Sequence, residues 1–146
     1  MYPLLLLLHS LLRWLVLCSL VGTICLSLRG VVKKKTFTAA SNKLRYWTVT
    51  FSHLQLIAGM ILYFQSPVVR FPGNEQIFFT YVHISCMLMA VVVITIGAAR
   101  TKRMKDDAAK YKTQLAWFSL GLSIILAAIP WPFSPLAHRP YIRSLW

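Results

Sequence analysis

The chain has 146 residues, of which 58% are hydrophobic and 13% charged, with a mean hydropathy of +0.63. That balance is far from a water-soluble globular domain and places the chain among integral membrane proteins. Sixteen Lys and Arg against three acids give a formal charge of +13. The cations cluster between apolar runs, with no aromatic-interleaved basic face, so the charge is not read as a nucleic-acid footprint.

Four apolar stretches, at about residues 2–28, 46–65, 77–99 and 112–129, predict an all-α fold: a single four-helix transmembrane domain covering 1–146. Each stretch approaches the roughly 20 residues that a helix needs to cross a hydrocarbon core of about 30 Å. The first is too long for a signal peptide, lacks a charged leading segment and is interrupted by Arg13, so it is expected to remain on the mature protein. Pro130 and Pro132 stop the fourth.

The connections set an expected orientation. Residues 29–45 hold Arg29, Lys33, Lys34, Lys35, Lys43 and Arg45; residues 100–112 hold six more cations beside Asp106 and Asp107. With twelve of sixteen cations in these two loops, the positive-inside rule predicts an up-down-up-down bundle with both termini on the outer, periplasmic side of a bacterial inner membrane. Arg139 and Arg143 follow in the tail. Aromatic residues near the span ends, among them Tyr2, Tyr63, Phe71, Tyr81, Trp131 and Phe133, with Tyr46 and Trp47 at the other face, are read as interfacial belts.

Polar groups inside apolar runs are costly and mark candidate sites. At 1.5 Å per residue, His9 lies about 10 Å and His83 about 9 Å below the outer boundary. Two histidines at one depth, on helices expected to face each other across the bundle, suit a non-covalent b-type haem, one imidazole on each side of the porphyrin iron. Cys86, Met87, Ala90 and Gly97 on the third helix, with Ala116, Ser119, Ser123 and Ala127 on the fourth, are expected to leave room for a flat macrocycle. Close helix packing explains the same small residues without a cofactor.

Arg13 and His53 fall together near mid-depth, about 16 and 18 Å from the outer side. No Asp or Glu lies in any span to pair with Arg13, so snorkelling, backbone carbonyls, a haem propionate or a quinone carbonyl are the acceptors to consider. His53, with Gln55, would add hydrogen-bonding capacity and a proton route at a quinone. A single metal ion held by His9, His53 and His83 is disfavoured by a level difference of roughly 8 Å, because ligand atoms lie about 2 Å from such an ion. Cys18, Cys25 and Cys86 have no CxxC or CxxCH spacing, which excludes covalent haem attachment and leaves them as buried small apolar thiols. No nucleophile–base pairing or carboxylate pair supports hydrolysis. Redox or binding chemistry is therefore expected, as an electron carrier with a redox partner or within a larger membrane complex. The competing expectation is a cofactor-free accessory or scaffold subunit.

The segments HSLLRW at 9–14, SHLQLIAGMILYFQSPVV at 52–69, VHISCMLMAVVVITIGAAR at 82–100, DDAAKYKT at 106–113 and IPWPF at 129–133 resemble a family of small four-span bacterial membrane proteins labelled cytochrome b-like. The resemblance runs nearly the whole length and implies a four-helix membrane fold with haem. Members often carry an acidic residue before the third-helix histidine, where this chain has Val82.

Overall fold

The computed structural model describes residues 2–70 and 73–132. Phe71, Phe133, His138, Arg139 and Arg143 lie outside the described residues. Within them the chain is helical, without strands: α1 (Tyr2–Val32), α2 (Ala39–Gln65), two short turns α3 (Pro67–Arg70) and α4 (Asn74–Ile77), a π-helical segment (Phe78–His83), α5 (Ile84–Arg103) and α6 (Asp107–Ala128). Three continuous helices, Tyr2–Val32, Ala39–Gln65 and Glu75–Arg103, are long and apolar enough to cross a membrane. α6 is not among them: its first two turns carry Asp107, Lys110, Lys112 and Gln114.

The long helices overrun the apolar stretches at their basic ends, because a hydrogen-bonded helix continues into Lys- and Arg-rich sequence without penalty. Two caps fix the starts that apolarity alone misplaces. Thr38 accepts from the Ser41 amide at 3.1 Å and starts α2; Asp106 accepts from the Ala109 amide at 2.7 Å and starts α6. Each satisfies an amide that has no intrahelical acceptor.

Around the bundle, α1 packs on α2 and α6, and α5 packs on α6 and, more sparsely, on α2. α1 and α5 are therefore diagonal. Hydroxylated and amide side chains share the interior with apolar ones: Ser10, Thr23, Ser27, Thr48, Ser52 and Gln114 are buried along with Leu20, Ile94 and Phe118, whereas Leu4 (65% exposed), Phe64 (67%) and Tyr81 (67%) stand outside. Small and hydroxylated side chains let membrane helices approach closely and hydrogen-bond across the contact, while large apolar ones meet lipid. Thr23 Oγ1 and Thr48 Oγ1 lie 2.9 Å apart across α1 and α2, and Gln114 Nε2 donates to Ser27 Oγ at 2.8 Å between α6 and α1.

Glycines mark the tightest approaches. A Cβ on Gly97 would lie 2.3 Å from Trp117 Cβ, and one on Gly121 2.5 Å from Ile94 Cγ1, so α5 and α6 touch almost backbone to backbone. This corrects the expected use of the small residues. Gly97 serves helix packing, and Ala116, Ser123 and Ala127 are exposed, the buried face of α6 being Phe118, Gly121, Ile125 and Ala128. The thiols of Cys18 and Cys25 are likewise exposed rather than buried.

The two basic connections lie side by side. Tyr111 donates to Thr36 O at 3.1 Å, its ring centroid is 4.9 Å from that of Phe37, and Lys110 Nζ sits 5.5 Å over the Phe37 ring. Lys110 also bonds Asp107 at 2.9 Å. That hydrogen bond, with one from the Phe37 amide, holds the Asp107 carboxyl below its ordinary pKa.

Candidate functional site

At the opposite end from the basic connections, the helices enclose a cavity of about 190 Å³. One water needs roughly 10–15 Å³, so the space is many times that of a single water. His9, Ser10 and Arg13 reach it from α1; Ser52, Gln55 and Gly59 from α2; Phe79, His83 and Met87 from the π-segment and α5; Ile125, Ile129 and Pro130 close it from α6 and its exit.

Helical spacing explains who arrives there. His9 and Arg13 are four residues apart on one face of α1, and Ser52, Gln55 and Gly59 repeat at three and four along α2. His83 is the last residue of the π-helical segment. Such a segment widens one turn, shifts which side chains face inward, and is a common device at functional sites. The Phe79 ring meets His83 edge-on with centroids 5.6 Å apart.

His83 Nδ1 lies 2.8 Å from Ala128 O. A carbonyl only accepts, so Nδ1 carries a proton, and in the neutral ring Nε2 keeps the lone pair. His9 is held from the other side. Gln55 Nε2 donates to His9 O at 3.0 Å and lies 3.2 Å from His9 Nε2. Because the amide N–H is the donor, His9 Nε2 accepts and the proton resides on Nδ1. That Nδ1 is buried without a hydrogen-bond partner, as is Gln55 Oε1. A Cβ on Gly59 would approach His9 Cε1 to 3.1 Å, so the ring lies close against the α2 backbone.

Arg13 donates from Nη2 to Ser10 Oγ at 3.3 Å, and its Cζ is 5.7 Å from the Trp14 ring centroid. The missing acid therefore does not leave the guanidinium without partners: its own helix supplies a hydroxyl and a π-face.

The expected pairing of Arg13 with His53 is not formed. His53 is exposed on α2, bonded through Nδ1 to Val49 O at 2.8 Å and 3.5 Å from Thr95 Oγ1, and it does not line the cavity. Position 53 lies about 100° around the helix from Ser52, which turns it off the cavity face although its depth is right. The residue that meets His9 from α2 is Gln55, whose spacing from Ser52 and Gly59 was the available signal. Among the described residues no cluster of three or more His, Cys, Asp or Glu is placed to hold a metal ion.

The donor set fits a bis-histidine haem in its chemistry. Two imidazoles from diagonal helices line one cavity, one of them with Nδ1 bonded to a carbonyl as is usual for a metal-ligating histidine, and a guanidinium stands beside them. To join such a set His9 would have to exchange its bond to Gln55.

No family model, curated protein or solved structure matches this chain.

Proposed function

We propose that this chain is a multi-pass protein of the bacterial inner membrane that binds b-type haem between α1 and α5 and passes single electrons, to a redox partner or as a subunit of a larger membrane complex. Its four helices run up-down-up-down across the bilayer with both termini outside. Residue pairing supports this order: Gln55 meets His9 and Thr48 meets Thr23, while Arg45 meets Ala98 and His53 approaches Thr95. In each helix pair the numbers rise on one helix as they fall on the other. α6 is the fourth span, entered through its polar first turns.

The observation that carries the reading is that His9, His83 and Arg13 line one cavity. Haem, when bound, supplies a reversible one-electron couple tuned by its axial ligands and the polarity around it. The protein's own groups do the rest. The Ala128 carbonyl fixes the His83 tautomer and raises its basicity as a ligand. Arg13 offers N–H donors to a propionate, and the same donors suit a quinone carbonyl. Phe79, Ile125 and Ile129 add apolar walls beside the polar groups.

A second reading, a cofactor-free accessory subunit, is favoured by the two approaches of Gln55 Nε2 to His9, which explain His9 as an interhelical tie. Substitution separates the two. For the haem protein, His9→Ala or His83→Ala abolishes or alters the low-spin absorbance of material purified with haem supplied, and His53→Ala spares it. For the accessory subunit the same variants lower stability and change no spectrum.

A further inference from the structure

We infer that the groove between the basic ends of α2 and α5 binds the phosphate of an anionic phospholipid. This helix pair is the most sparsely packed of the four neighbouring pairs, and the gap is bordered by Lys43 and Arg45 of α2 and Lys102 of α5, with Val49, Tyr46 and Ala99 as apolar walls. Among the described residues no acidic side chain lines it. Lys43 and Lys102 are exposed, with ammonium groups free to turn toward a ligand.

Arg45 provides the second observation. Its Nη1 donates to Ala98 O at 2.7 Å across the gap and its Nη2 to Asn42 Oδ1, yet Nε is buried without a partner. A guanidinium has five N–H donors, and one already bridging two helices has its plane fixed, with one further N–H on each terminal nitrogen left for a phosphate. Cations at the head of an apolar groove match an amphiphile with one negative headgroup and an acyl chain: the phosphate meets three cations, and the chain runs along Val49 and Ala99 toward the bilayer centre. Basic pockets between membrane helices bind acidic headgroups in this way. The site rests on the membrane reading alone and is independent of haem.

The test uses the full chain extracted from membranes in mild detergent, with an equimolar mixture of phosphatidylglycerol and phosphatidylcholine as probe and native mass spectrometry as readout. Phosphatidylglycerol adducts should dominate. Lys43→Gln with Lys102→Gln should weaken them by about five-fold per lysine, roughly 25-fold together, the ratio that ~1 kcal/mol per cation near an anionic surface corresponds to. Lys33→Gln with Lys35→Gln, which removes equal charge from the α1–α2 connection, should leave them nearly unchanged. Arg45→Gln should also lose the adducts, and because it cuts the tie to Ala98 the double lysine variant decides if it misfolds. Equal retention of both lipids, equal loss in the Lys33/Lys35 variant, or displacement by millimolar inorganic phosphate would overturn the site. Recovery of the chain in the aqueous fraction of lysed cells would instead overturn the membrane reading, and the site with it.

Discussion

Gly97→Ala tests how closely α5 and α6 approach each other. The added Cβ would lie 2.3 Å from Trp117 Cβ and 2.9 Å from its Cγ, against the roughly 3.5–4.0 Å of an ordinary carbon contact. Trp117 Cβ is bonded to the backbone, so no rotamer change removes it and the helices must separate by about 1 Å or more. Overpacking of this kind costs ~1–3 kcal/mol, here at the upper end, and the better helix propensity of alanine returns ~1 kcal/mol. The net expectation is a loss of about 2 kcal/mol. Gly22→Ala is the matched control. Its new Cβ meets Leu44 Cδ2 at 3.3 Å, the mobile tip of a half-buried side chain that gives way easily, so propensity should leave this variant as stable as the parent or up to ~1 kcal/mol more stable. Both are measured by reversible unfolding in mixed micelles under titration with sodium dodecyl sulfate, followed by tryptophan fluorescence. Equal stability of the two variants, or a larger loss at Gly22, would refute the packing.

Three further outcomes follow from the polar interior. Gln55→Leu removes two interhelical contacts to His9, about 0.6 kcal/mol each for hydrogen bonds between membrane helices, but also removes a buried carbonyl oxygen without a partner. Stability in the same titration should stay within ~1 kcal/mol of the parent, and haem retained per protein should hold or rise as His9 Nε2 is released; loss of haem would contradict the exchange assigned to Gln55. Gln114→Leu gives up one bond to Ser27 and likewise relieves a buried oxygen, so it should be neutral within ~1 kcal/mol, whereas Ser27→Ala, which leaves the whole amide buried and unpaired, should cost ~1–3 kcal/mol. The Asp107 carboxyl, with its pKa lowered in the folded chain, contributes stability that is present above its unfolded value near 4 and lost as the pH falls below it. Asp107→Asn should flatten that acid limb of the thermal midpoint, and an unchanged limb would contradict the pairing with Lys110.

Four helices, and their ends to within a few residues on the apolar side, were legible because hydropathy reports what faces lipid. The basic ends were not, because a helix continues in water after its apolar run stops; only Thr38 and Asp106, capping residues, mark where α2 and α6 begin. Depth could be counted along a helix and brought His9 and His83 to one cavity. It could not decide rotation, which is why His53 at the right depth faces outward and Gln55, two residues on, faces in. The π-helical turn has no compositional signature, so the register shift leading into His83 was invisible. The small residues carried a true signal of close approach, but Gly97 and Gly121 spend it on helix–helix contact at the middle and basic half of α5 and α6, away from the cavity.

Haem in the His9–His83 cavity is detected most directly by the absorbance spectrum of the purified full chain, made with haem supplied, before and after reduction with dithionite. The account predicts a Soret band that sharpens and shifts on reduction, with low-spin bands that disappear in His83→Ala and persist in His53→Ala. A well-folded protein with no Soret band, or a band indifferent to both His9→Ala and His83→Ala, would contradict it.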